Sequence, residues 1–130
     1  MNPKAFGRAL AIVALALLAA CSNYDSDIAA VKQAEATPGQ TNEAWVNNIA
    51  GARGHVDWSA GKAAAYNNDD IVEVVATIDK PSAGGGSHKI ELHFIHNRQT
   101  QKVALDNVLV DGKSQGLLGG ALNLLLLQLQ

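Results

Sequence analysis

The sequence predicts an α+β fold: an antiparallel four-stranded meander, with N-terminal helices and a C-terminal helix packed on one face. Three observations lead there. Two segments with helical composition and spacing occupy residues 28–50. Four runs with strand character follow between residues 55 and 110. The connections between those runs are short, so neighbouring strands return on one another and leave one face for the helices.

Each element has a local reason. Residues 28–36 combine good helix formers with apolar positions at Ile28, Val31 and Ala34. Thr37-Pro38-Gly39-Gln40 is a turn signal that stops this helix. Thr41 can cap the next one, with Glu43 in its first turn, and Trp45 and Ile49 share a face as it runs to about Ala50. Gly51 and Gly54 end it. Residues 55–60 alternate, with Val56 and Trp58 on one side and Asp57 and Ser59 on the other. Residues 71–79 are largely β-branched, with Val72, Val74, Ala76 and Ile78 forming an apolar face opposite Glu73 and Thr77. The Gly84-Gly85-Gly86 run makes a loose connection. Residues 88–96 place Ile90, Leu92 and Phe94 on the core face and Glu91 and His93 on the other. In residues 102–110 the apolar phase slips at Asp106-Asn107, which predicts a bulge there. Asp111-Gly112 is a turn. Residues 117–130 carry no charge and eight leucines. They read as a helix, with a terminal strand as the alternative because Leu127-Gln128-Leu129-Gln130 alternates; either form closes the core and offers its surplus apolar edge to a partner or a second copy. No internal repeat is visible.

The first twenty residues have a different character. Lys4 and Arg8 give a short positive region, and residues 9–20 are uninterrupted apolar. Twelve apolar residues suit a secretory signal and fall short of the roughly 20 needed to span a bilayer. Leu18-Ala19-Ala20-Cys21 resembles the lipobox of bacterial lipoproteins. The resemblance implies that a diacylglycerol is transferred to the Cys21 thiol, that cleavage before Cys21 makes it the mature N-terminus, and that two or three acyl chains fix the protein to a membrane. Two chains suffice for stable anchoring, where one is marginal. Ser22, at the position where such lipoproteins carry their sorting signal, implies the outer membrane facing the periplasm. The expected organisation is therefore a signal peptide over residues 1–20, a lipidated tether over 21–27 and one globular domain over 28–130. Trp45, Trp58 and the strands over residues 71–79 and 89–96 also resemble the layout of small bacterial lipoproteins of uncharacterised function, a resemblance that implies no activity.

Composition narrows the function further. The chain has 10 basic and 12 acidic side chains; without Lys4 and Arg8 the balance becomes eight against twelve, or −4. This mildly acidic balance argues against nucleic acid, which needs a basic face. The single cysteine excludes an intrachain disulfide. No nucleophile motif such as Gly-x-Ser-x-Gly occurs, and the triple glycine lacks the Lys-Ser/Thr ending of a phosphate loop. Glu91 and His93 share a strand face and could supply two metal ligands with Glu73 or Thr77 nearby, whereas His93 and His96 face opposite sides. A solvated polar sheet face explains the same residues, as an acidic loop explains Asp69-Asp70 and core packing explains the two tryptophans. The expectation is a non-enzymatic lipoprotein without cofactor or metal, attached to a membrane through Cys21, that binds an envelope component or itself. An inhibitor or immunity-type lipoprotein that blocks a secreted enzyme or toxin is the alternative.

Overall fold

The computed structural model describes residues 24–116. The expected signal segment, Cys21 and the expected C-terminal helix lie outside the described residues. Within them the fold is α+β, with two short helices ahead of a five-stranded antiparallel meander.

Helix α1 spans Asp25–Gln33 and so begins and ends earlier than the apolar spacing suggests. Asp25 and Asp27 occupy its first turn, where carboxylates meet the positive end of the helix dipole. Residues 25–27, read from sequence as tether, are thus helix. The chain leaves α1 at Ala34, whose backbone is extended, and Glu35–Thr37 (β1) pairs with Gln40–Thr41 (β2) across the Pro38-Gly39 turn. Helix α2 spans Asn42–Ala50. Its cap is the expected one: Thr41 Oγ1 accepts from the Ala44 N–H at 3.2 Å. Gly51 ends it in the left-handed region at φ 69°. Gly54 is required for a different reason, since a Cβ there would collide with the backbone of Ala50.

The sheet runs in the order β3 (His55–Lys62), β4 (Ile71–Pro81), β5 (Ser87–Asn97), β6 (Val103–Val110) and β7 (Lys113–Ser114). Four strands were expected and the fifth is an addition. Asp111 and Gly112 both have positive φ, and this tight turn returns two residues onto Leu109 and Val110. The bulge falls where the slip in apolar phase places it: His93 pairs with Asn107 and Phe94 with Leu105, leaving Asp106 unpaired.

Both helices lie on one face. Val72, Val74, Ala76, Ile78, Ile90, Leu92, Phe94 and Val108 line the inner face of the sheet and pack with Val31, Val46, Ile49 and Ala50. Trp58 sits opposite Ala76, whose small side chain leaves room for the indole to reach Phe94, ring centroids 6.1 Å apart. Lys32 covers the same indole at 5.5 Å and pairs with Glu43 at 3.5 Å. Lys80 reaches up from the sheet to the Ile49 carbonyl at 2.9 Å, satisfying an acceptor in the last turn of α2.

Candidate functional site

The polar residues singled out from sequence do meet. Glu73, Glu91 and His93 lie together on the face of the sheet away from the helices. His93 sits opposite Val75, so its neighbours on that face are the carboxylates one step along β4 and β5. Its Nδ1 is 3.4 Å from Glu73 Oε1 and its Nε2 is 3.7 Å from Glu91 Oε1. The second distance is an ion-pair distance, and Nε2 is buried without a hydrogen-bond partner. The imidazole thus lies between two carboxylates, Glu73 on the neighbouring strand and Glu91 on its own. Among the described residues no group of three or more His, Cys, Asp or Glu could hold a metal ion. The acidic loop is likewise tied internally. Asp69 pairs with Lys62 at 2.7 Å, and that hydrogen bond and charge hold the Asp69 carboxyl below its ordinary value. The Asp70 carbonyl accepts from the Arg98 N–H at 2.8 Å.

The strongest polar cluster is one the sequence did not announce. Asp27 in α1 is 1% exposed and accepts hydrogen bonds from two β5-end residues, His96 and Arg98. The His96 ring donates through Nδ1 at 2.7 Å. The Arg98 guanidinium grips both carboxylate oxygens, Nε to Oδ1 at 3.1 Å and Nη2 to Oδ2 at 2.7 Å. Burial pushes the Asp27 carboxyl up, but the hydrogen bonds and charges of Arg98 and His96 outweigh it and hold the carboxyl below its ordinary value. The carboxylate in turn raises Arg98 further. Gln101 donates to the Arg98 carbonyl at 2.7 Å, which leaves its amide oxygen 3.3 Å from His96 Nε2. Arg98 also lies over the Tyr24 ring at 5.7 Å. One sequence signal points to this site: Asp27 precedes Val31 by one helical turn and so falls on the buried stripe of α1.

A histidine hydrogen-bonded to a buried aspartate has the orientation that general bases use. Here the ring is 3% exposed, its far nitrogen faces Gln101, and no hydroxyl or thiol of the described residues bonds to it. The cluster therefore acts as a clamp that fastens the start of α1 to the end of β5.

A concave surface lies away from this cluster. A groove of about 340 Å³ opens between the β1–β2 hairpin, the start of α2 and β6. Trp45, Val103 and Leu105 supply its apolar wall, and Glu35, Gln40 and Asn42 line it with polar groups. Asn42 is fixed from both sides, its N–H donating to the Ala34 carbonyl at 2.7 Å and its Nδ2 to the Val31 carbonyl at 2.9 Å. Trp45 and Trp58 both pack, partly buried, against the core, and Trp45 also lines this groove. The groove is small for a binding site but lies within the usual size of ligand pockets. Comparison of the chain with protein-family models, curated proteins and solved structures returns no match.

The clamp makes a definite expectation. Asp27→Asn leaves His96 buried and Arg98, itself 39% exposed, without a counter-charge, so it should lower the unfolding free energy by about 2–3 kcal/mol. The folded carboxyl titrates below the unfolded one, so its contribution is complete above about pH 4 and fades as pH falls through the folded value. Urea unfolding of both proteins at pH 7 and pH 3 measures this. The gap should be large at pH 7 and narrow at pH 3; equal stability at pH 7 contradicts the assignment.

Proposed function

We propose that this chain is a lipid-anchored protein of the bacterial envelope, held through Cys21 and working by binding rather than by catalysis. The observation that carries this reading is Leu18-Ala19-Ala20-Cys21 at the end of a positively flanked apolar run. The start of the domain is consistent with it. Only Ser22, Asn23 and Tyr24 separate Cys21 from the first residue of α1, and Asp27 is fixed to the sheet two residues further on. A lipid on Cys21 would accordingly hold the domain against the membrane surface with little slack. Ser22 favours the outer membrane, with the domain in the periplasm. No helix among the described residues is long and apolar enough to cross a membrane.

Two features support binding over catalysis. Of the four histidines, each with a carboxylate partner, His96 is buried in the clamp and His93 lies between two carboxylates, while His55 and His88 form single surface ion pairs with Asp57 at 3.3 Å and Asp111 at 2.9 Å. The concave surface beside Trp45 carries an apolar wall and a few fixed polar groups, the composition of a binding groove. Residues 117–130 complete the reading as a closing helix on the domain. Circular dichroism of the full chain against one ending at Gln115 tests that helix; a loss of helical signal in the shorter chain is expected and an unchanged spectrum contradicts it.

The anchor is tested by labelling growing bacteria with palmitate. The native chain should take up label and partition with membranes, and Cys21→Ser should do neither. Label in the Cys21→Ser chain, or none in the native one, contradicts the proposal.

A further inference from the structure

The two edges of the main sheet are built differently. The β6 edge is interrupted and capped. Asp106 bulges out of the ladder, β7 pairs with Leu109 and Val110, and the Gln115 N–H donates to the Val108 carbonyl at 2.8 Å. The Asn107 side chain accepts from Ser114 Oγ at 2.8 Å and from the Val108 N–H at 2.9 Å. Bulges, short terminal strands and side-chain caps are the devices that stop a sheet from adding further strands.

The β3 edge has none of them. It pairs with β4 without interruption from His55↔Asp79 to Lys62↔Val72. It contains no proline and no bulge. Its core-facing residues Val56, Trp58 and Ala60 are uncharged; Lys62, in the same phase, sits at the last position and is turned to Asp69. In an antiparallel ladder every second residue directs its N–H and C=O away from the partner strand. On β3 those outward groups have no hydrogen-bond partner among the described residues.

We propose that this edge, unpaired among the described residues, is an interaction surface for a second copy of the chain, the two β3 strands pairing antiparallel about Trp58. Residues directly opposite in such a pair must point to the same face, so only a few registers exist. Centred on Trp58, the register sets Val56 against Ala60 and Asp57 against Ser59. Apolar residues then meet on the core face and no like charges meet on the other. Centred on Asp57, it would oppose two carboxylates. Centred on Ser59, it would bring Lys62 against Val56 and pull it from Asp69. The strand is therefore complementary to itself in one register above its neighbours. The shared edge is short, so the association is weak and concentration-dependent.

Ser59 is exposed, so its replacement should leave the fold intact, which circular dichroism checks directly. Ser59→Glu places a carboxylate opposite Asp57 twice in each dimer, and Ser59→Lys places an ammonium there. From the usual cost of cross-strand charge pairs, Ser59→Glu should weaken self-association by about 2- to 30-fold, and Ser59→Lys should strengthen it in the same range. Asp57→Lys combined with Ser59→Glu exchanges the charges and should restore it. Sedimentation equilibrium of the purified full chain in detergent reads all four proteins, and amide exchange at two concentrations reads β3 directly. Slower exchange of β3 amides at the higher concentration, with that order of affinities, supports the proposal. A monomer at every concentration overturns it. So does a dimer indifferent to the three substitutions, because that dimer uses another surface.

Discussion

The carboxylate of Asp27 is taken almost entirely out of water, and that cost has to be met by its partners. Arg98 meets it with a two-pronged grip and His96 with a further short hydrogen bond. Arg98 is simultaneously held through its N–H by the Asp70 carbonyl, in the loop leading into β4. Three segments far apart in the chain, the start of α1, the turn after β5 and the approach to β4, are thereby fixed at one corner. Such a buried ion pair adds less net stability than its geometry suggests, because desolvation offsets much of the attraction. Its force lies in selection. Any other seating of α1 would leave a charge buried and unanswered, which costs far more than a slipped apolar contact.

From that corner the helical layer follows in series. Val31, one turn after Asp27, enters the core fully buried. Asn42 then ties the beginning of α2 to the last turn of α1 through two hydrogen bonds, so the second helix inherits its position from the first. Val46, Ile49 and Ala50 close over β4, and Lys80 holds the far end of α2. The sheet below needs no such instruction, since its inner face is continuous and apolar. The groove beside Trp45 is a consequence of this geometry: the helices cover β3 to β5 and leave part of β6 to the β1–β2 hairpin.

Much of this was legible in the sequence because it depends on period. The β-branched run of β4, the alternation of β3 and β5 and the phase slip at Asp106 report which side of a strand is buried. The Thr41 cap and the Pro38-Gly39 turn are equally local. What escaped depends on partners distant in the chain. Asp27 looks like solvated tether until Arg98 and His96 are known to stand opposite, 71 and 69 residues later. The β7 strand is two residues long and has no pattern of its own; only the tight Asp111-Gly112 turn creates it. Glu73, Glu91 and His93 were expected on one face, and they share it, but their meeting is set by the β4–β5 register rather than by any motif.

The most direct test of the account is the coupling between Asp27 and Arg98. Unfolding free energies of the native chain, Asp27→Asn, Arg98→Met and the double variant form a closed cycle, in which effects on folding unrelated to the pair cancel. If the clamp sets the helical layer, the two substitutions are strongly non-additive, with a coupling of about 1.5–3 kcal/mol at pH 7. Additive effects, with a coupling under about 0.5 kcal/mol, would mean that the apolar layer alone seats α1 and that the buried carboxylate does not determine where the domain begins.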